Sequence, residues 1–103
     1  MYQVVNPATG KVESEYPTAT DAEVSDVLAR AERGYTSWRR TPMEERAATL
    51  RRVAQLYGDR STELAAIITR EMGKITKAAQ GELRFVAAIY EYRSDERRVG
   101  KEC

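Results

Sequence analysis

The sequence predicts a mostly α-helical chain that begins with a short β-hairpin and continues into about four helices. Two observations support this prediction. Apolar and polar residues alternate on both sides of a turn at residues 6–10, as they do in the strands of a hairpin. From residue 20 to about residue 92, apolar residues instead recur every three or four positions, which is the spacing of helices that bury one face.

The hairpin is predicted from its turn, Asn-Pro-Ala-Thr-Gly at residues 6–10. Pro7 fixes its own φ near about −65°, which suits an early turn position, and Gly10 can adopt the positive φ that closes the turn. Strands are therefore expected at Tyr2–Val5 and 11–16.

Two capping boxes predict where the first two helices begin. Thr20 and Glu23 can satisfy each other's backbone N–H groups, and Thr41 and Glu44 have the same spacing, with Pro42 at the first helical position. The predicted apolar stripes are Val24, Val27, Leu28, Ala31, Tyr35 and Trp38 in the first helix, and Ala47, Leu50, Val53, Ala54 and Tyr57 in the second.

A break at residues 58–61 separates the second helix from a third, expected at about 62–72. Gly73 stands where a left-handed cap is expected, and Thr76 is expected to cap a fourth helix that extends to about residue 92. The apolar stripes are Leu64, Ile67, Ile68 and Met72 in the third helix, and Ala79, Leu83, Val86, Ala87 and Tyr90 in the fourth. Phe85 and Ile89 lie off the last stripe, so the fourth helix needs a second partner.

Composition argues against several classes of partner. Charged residues make up 32% of the chain, with 17 basic and 16 acidic side chains, so no field of one sign exists to attract nucleic acid or an anionic membrane. No apolar run approaches the ~20 residues of a membrane span, and the N-terminus lacks the pattern of a signal peptide. Together with a single cysteine, this predicts a cytoplasmic protein.

The residues that could take part in catalysis are better explained by structural roles. Histidine is absent, and Cys103 is in a polar terminal stretch with no evident group to lower its pKa. Glu71 and Lys74, with Glu82 nearby, are typical of an ion pair at the end of a helix. Gly73-Lys74 is not a phosphate-binding loop, because such a loop needs Ser or Thr where Ile75 stands. The sequence therefore predicts no catalytic, cofactor-binding or metal-binding residue.

Two arginine pairs and one tryptophan have similar explanations. Arg39-Arg40 and Arg51-Arg52 are close in sequence to Glu44, Glu45 and Asp59, which favours a neutralised, solvated face over an anion-binding site. Trp38 ends an apolar stripe and is expected to pack between helices rather than to stack on a base.

The last residues differ in composition from the rest. Residues 93–103 contain one aliphatic side chain and no helical periodicity. They resemble the translation of a sequencing-library adapter joined in frame, so the native sequence is expected to end near residue 92 and the remainder to be a non-native tail.

An ordered set of motifs extends over residues 2 to about 92. Its members are 6–10, 38–42, Glu45-Arg46, Leu50, Leu64-Ala65, 71–74 and Gly81-Glu82. This set resembles the N-terminal segment of the aldehyde dehydrogenase family. No single motif is decisive, but their order and separation are specific, and they favour the succinate-semialdehyde dehydrogenase branch. One departure is Ile75, where the family usually has Pro after Gly-Lys.

The resemblance implies that an intact relative oxidises an aldehyde with NAD or NADP and is a homo-oligomer. In that reaction a cysteine thiolate attacks the carbonyl, hydride passes to the nicotinamide, and a glutamate-activated water hydrolyses the thioester. The catalytic and cofactor-binding groups are expected downstream of this segment. Residues 1–92 would then be the hairpin and helical layer of an incomplete cofactor-binding domain of α/β fold, unable to bind the cofactor alone. The alternative is a non-catalytic helical interaction module.

Overall fold

The computed structural model describes residues 1–94 and bears out the predicted fold. A two-stranded antiparallel sheet precedes four helices, and most boundaries lie within one residue of those expected from sequence. The elements are β1 (Tyr2–Val5), β2 (Val12–Tyr16), α1 (Asp21–Trp38), α2 (Met43–Asp59), α3 (Ser61–Met72) and α4 (Thr76–Arg93). Arg93 and Ser94 close α4, and the rest of the predicted tail, including Cys103, lies outside the described residues.

The hairpin depends on Asn6 as much as on the two residues singled out from sequence. The Asn6 carbonyl accepts from the N–H groups of Thr9 at 3.2 Å and Gly10 at 2.7 Å. Its side-chain Oδ1 accepts from the Ala8 N–H at 2.9 Å, which is an Asx turn. Gly10 has the expected positive φ, 70°. The strands pair Tyr2 with Tyr16 at the open end, and the register shifts between Val4 and Val5.

Only one of the three predicted side-chain caps forms. Thr20 Oγ1 accepts from the Glu23 N–H at 3.2 Å, and the Glu23 carboxylate accepts from the Thr20 N–H at 2.7 Å, which confirms the first capping box. The second prediction is wrong, because the Thr41 hydroxyl donates back to the Ser37 carbonyl and Pro42 is the N-cap of α2. The prediction for α4 is also wrong: Thr76 is its first helical residue, after an extended Ile75.

The core lies among the last three helices. Helix α4 packs against both α2 and α3, and Tyr57 of α2 stacks on Tyr90 of α4 with ring centroids 5.6 Å apart. These contacts use the predicted stripes of α2, α3 and α4, apart from Met72, which is exposed. The buried apolar residues among those described are Ala47, Ala65, Ala79 and Leu83. The core is therefore small, with alanine at three of these four buried positions.

Helix α1 does not join this core. Its predicted stripe is exposed throughout, and α1 has no buried residue. Trp38, expected to pack between helices, is also exposed. The radius of gyration is 17.8 Å, well above the ~13 Å of a compact domain of this length. The expectation that α1 buries its stripe is thus wrong among residues 1–94, because no described element covers it.

Candidate functional site

The charged residues near the end of α3 form a structural pair with α4. Lys74 Nζ lies 2.6 Å from Glu82 Oε2, so the partner of Lys74 is Glu82 rather than the nearer Glu71. Both side chains of the pair are partly exposed, and an exposed pair of this kind contributes ~0–1 kcal/mol. The pair joins the 73–75 loop to α4, and its geometry offers no nucleophile.

Arg39, Arg51 and Arg52 of the two arginine pairs each contact a ring or a neutral oxygen. The Arg39 guanidinium lies over the Tyr35 ring, 5.9 Å from its centroid. Arg52 Nη1 donates to Gln55 Oε1 at 3.4 Å, and Arg51 Nη1 donates to the Ser94 carbonyl at 3.2 Å. One contact lies at the end of α1, one lies within α2, and one links the middle of α2 to the end of α4. Each therefore helps to hold the fold rather than to form a concave anion site.

Two charged groups that face each other, Arg60 and Glu63, have clearly shifted pKa values, raised for Arg60 and lowered for Glu63. Arg60 donates two hydrogen bonds to the Glu63 carboxylate, at 3.0 and 2.7 Å. This hydrogen bonding, followed by the positive charge of Arg60, lowers the pKa of Glu63. Both side chains are exposed at the start of α3, which is the ordinary setting of an i,i+3 pair on a helix.

A shallow groove runs between α4 and the junction of α2 with α3. Its volume is about 430 Å³. Tyr57 and Leu83 form apolar parts of its wall, while Arg84 and Glu91 add charges of opposite sign. A catalytic pocket instead combines an apolar interior with a few convergent polar groups. This groove is a seam between packed helices.

The hairpin turn meets the helical core at the end of α3. The Pro7 ring lies against Gly73, so that a Cβ placed on Gly73 would be 2.9 Å from Pro7 Cγ. Beside this contact, Glu13 Oε2 of β2 lies 3.1 Å from Arg70 Nε of α3. The structure thereby brings two motifs of the sequence analysis, residues 6–10 and 71–74, into contact. No separate role was predicted for Asn6 or Glu13 from the sequence, although an Asn at the start of a turn is a known sign of side-chain capping.

Residues 1–94 contain neither a metal-binding cluster nor a membrane-spanning helix. That segment contains no group of three or more His, Cys, Asp or Glu side chains placed to hold a metal ion. None of its helices combines the length and the apolar composition that crossing a membrane requires.

Comparison with known proteins identifies the family. The profile of the Aldehyde dehydrogenase family matches residues 1–101. The chain belongs to the aldehyde dehydrogenase family. It is 41% identical, over 91 residues, to a succinate-semialdehyde dehydrogenase [NADP(+)] of Deinococcus radiodurans, a match that covers 88% of this chain and 19% of the relative. It is 40% identical, over 81 residues, to a malonate-semialdehyde dehydrogenase of Bacillus pumilus, covering 79% of this chain and 17% of that relative.

A solved aldehyde dehydrogenase has the same fold over this segment. It is the succinic semialdehyde dehydrogenase of Streptococcus pyogenes in complex with NADP+, with a TM-score of 0.87 and 37% sequence identity. The match covers 93% of our aldehyde dehydrogenase chain and 21% of the Streptococcus chain. The chain therefore spans about a fifth of the length of these relatives. This agreement confirms the predicted fold, a hairpin and four helices that form part of the aldehyde dehydrogenase architecture.

Proposed function

We propose that this chain is the N-terminal part of an NAD(P)-dependent aldehyde dehydrogenase that acts on a semialdehyde, with succinate semialdehyde as the first candidate. The observation that carries this proposal is the TM-score of 0.87 at 37% identity to a succinic semialdehyde dehydrogenase. The relatives named for succinate, malonate and glutarate semialdehydes have substrates with an aldehyde and a carboxylate in one molecule. That shared chemistry defines the proposed substrate class.

The role proposed for residues 1–92 is to complete the fold of the enzyme. Helix α1 carries an apolar stripe with no partner among the described residues, and Leu28 within it is 65% exposed. Phe85, on the second apolar side of α4, is 66% exposed. Apolar faces of this extent are typical of surfaces that another part of a protein covers. We assign no catalytic, cofactor-binding or metal-binding role to any residue of the chain.

The same exposed faces favour a second candidate, a non-catalytic helical module that binds other proteins. The two candidates differ in what covers the faces: the remainder of one enzyme subunit, or a separate partner. They also differ in whether the segment can replace its counterpart in a working enzyme.

A segment exchange tests the first candidate. Residues 1–92 replace the corresponding segment of the Deinococcus enzyme, and NADPH formation is measured with succinate semialdehyde and with malonate semialdehyde. We expect the chimera to reduce NADP+, whereas the same enzyme without its N-terminal segment should not. A folded chimera without activity would favour the interaction module.

The isolated 103-residue chain provides the complementary test. We expect it to form no NADPH or NADH from any of these aldehydes. Turnover that Cys103→Ala abolishes would overturn both the assignment of no catalytic residue and the proposal that residues 93–103 are a non-native tail. The DNA downstream of codon 92 tests the tail separately, because a longer open reading frame of the same family should continue from there. We further propose that the enzyme is cytoplasmic, that it forms a homo-oligomer, and that it has no nucleic-acid or membrane partner.

A further inference from the structure

The hairpin is joined to the helical core through a small contact area. Neither strand packs extensively on a helix among residues 1–94, and the apolar side chains Val5 and Val12 are exposed. Two contacts link the hairpin to the end of α3: the Pro7 ring against Gly73, and the ion pair of Glu13 with Arg70. The orientation of the hairpin therefore depends on these four residues.

Gly73 is required at this place for two separate reasons. Its φ is 75°, in the left-handed region that disfavours residues with a Cβ. In addition, a Cβ on Gly73 would come within 2.9 Å of Pro7 Cγ and 3.6 Å of Pro7 Cβ. The first distance is too short for two carbon atoms in contact, whose optimal separation is about 3.5–4.0 Å. The absence of a side chain at Gly73 thus makes room for the Pro7 ring.

Asn6 holds the turn in the shape that presents Pro7. Its Oδ1 accepts from the Ala8 N–H at 2.9 Å, and its Nδ2 donates to Glu13 Oε1 at 2.9 Å. The other carboxylate oxygen of Glu13 is the one that faces Arg70. One carboxylate therefore connects the turn, the strand and α3.

We infer that Pro7 and Gly73, supported by Asn6, Glu13 and Arg70, form a latch that fixes the hairpin on the end of α3. Pro7 and Gly73 are positioning residues in this inference. The latch explains why two motifs more than sixty residues apart occur together in this chain: each supplies one side of the same contact. The inference does not depend on the proposed enzymatic function.

The latch can be measured as a docking equilibrium in the full 103-residue chain. Nitroxide labels are attached to cysteines replacing Glu15 in β2 and Lys77 in α4, in a Cys103→Ala background, and their distance distribution is recorded by pulsed electron spin resonance. A docked hairpin gives one narrow distance, and an undocked hairpin gives a broad one. The strain of a positive φ at residue 73 is present in both states, so the ratio of the two populations reports the contact with Pro7.

We expect a narrow distribution in the labelled parent. Gly73→Ala should raise the ratio of undocked to docked chains by at least about fivefold. This factor corresponds to the lower end of the free-energy cost of overpacking a close contact. Gly10→Ala is the matched control, because Gly10 also has a positive φ but a Cβ there would meet nothing within 4 Å. Gly10→Ala should leave the ratio within about twofold of the parent.

The double variant Pro7→Ala/Gly73→Ala tests whether Pro7 causes the effect. Removing the Pro7 ring leaves room for the new Cβ, so the ratio should rise by less than the product of the two single effects. A broad distribution in the parent, an unchanged ratio in Gly73→Ala, or strictly multiplicative effects would each overturn the latch. If circular dichroism shows that Gly73→Ala loses its helices, Pro7→Ala decides alone: it should raise the ratio by about twofold or more, and an unchanged ratio would overturn the inference.

Discussion

In this chain, helix α1 should be stabilised only by interactions within the helix and at its N-terminal cap. It spans Asp21–Trp38 and buries no residue, and helices of this length without tertiary support are marginal in water. Its local supports are the capping box of Thr20 with Glu23 and the ion pair of Asp26 with Arg30 at 2.9 Å. Gly34 lies in its last turns and weakens them.

Thr20→Ala should therefore unwind much of α1. The substitution removes the hydroxyl that accepts from the Glu23 N–H, and such a cap contributes ~1 kcal/mol. For a helix near a one-to-one balance with coil, this change lowers the helix-to-coil ratio about fivefold. The helical fraction at the start of α1 should fall from about one-half to about one-sixth.

Backbone ¹³Cα chemical shifts of residues 21–30 in the 103-residue chain measure this fraction directly. Thr36→Ala is the matched control in the same helix. The Thr36 hydroxyl donates to the Glu32 carbonyl at 3.0 Å, and its loss should keep or raise helicity because alanine is the better helix former. Unchanged shifts in Thr20→Ala, or an equal loss in Thr36→Ala, would refute the argument that a cap holds an unsupported helix.

Three further outcomes are expected. Leu83→Ala should destabilise the core formed by α2, α3 and α4 by ~2–3 kcal/mol, near the lower end for a core leucine because the large side chains around it are only half-buried. Amide exchange should accelerate in these three helices, and equal acceleration in α1 would contradict the separation of α1 from the core. Because Arg60 lowers the pKa of Glu63, their pair should stabilise the start of α3 above the ordinary glutamate pKa and lose this effect as pH falls through the lowered value; the ¹³Cδ titration of Glu63 should move upward in Arg60→Gln, and an unmoved titration would exclude this cause. The exposed stripe of α1 should bind an anilinonaphthalene sulfonate dye, and Leu28→Ser should reduce the fluorescence more than Ala31→Ser; equal fluorescence in the two variants would show that the dye does not bind this stripe.

The elements of the fold could be predicted because their signals are local. Helix α3 ends at Gly73 as expected, since a residue without Cβ tolerates the left-handed cap. The capping box at Thr20 was also predicted correctly, because both of its partners lie within four residues. The predictions for Thr41 and Thr76 were wrong for a related reason: a hydroxyl near a helix start has several backbone groups in reach, and the path of the preceding chain decides which one it binds.

The sequence by itself determined the hairpin, the four helices, their apolar faces and the family to which the chain belongs. It could not determine which of those faces are covered within residues 1–94. The stripes of α1 and α2 are of similar apolar character, yet α2 packs against α4, whereas α1 buries no residue. Periodicity reports that a face is apolar, whereas burial depends on a partner placed by the path of the whole chain.

The contact of Pro7 with Gly73 was likewise decided only by the tertiary structure. Each residue has a local explanation, one as a turn former and the other as a left-handed cap, and neither explanation refers to the other residue. Their proximity follows from the way the chain returns the hairpin to the end of α3. Local backbone preferences can be derived from a few neighbouring residues, but a contact across more than sixty positions depends on every turn and helix between them.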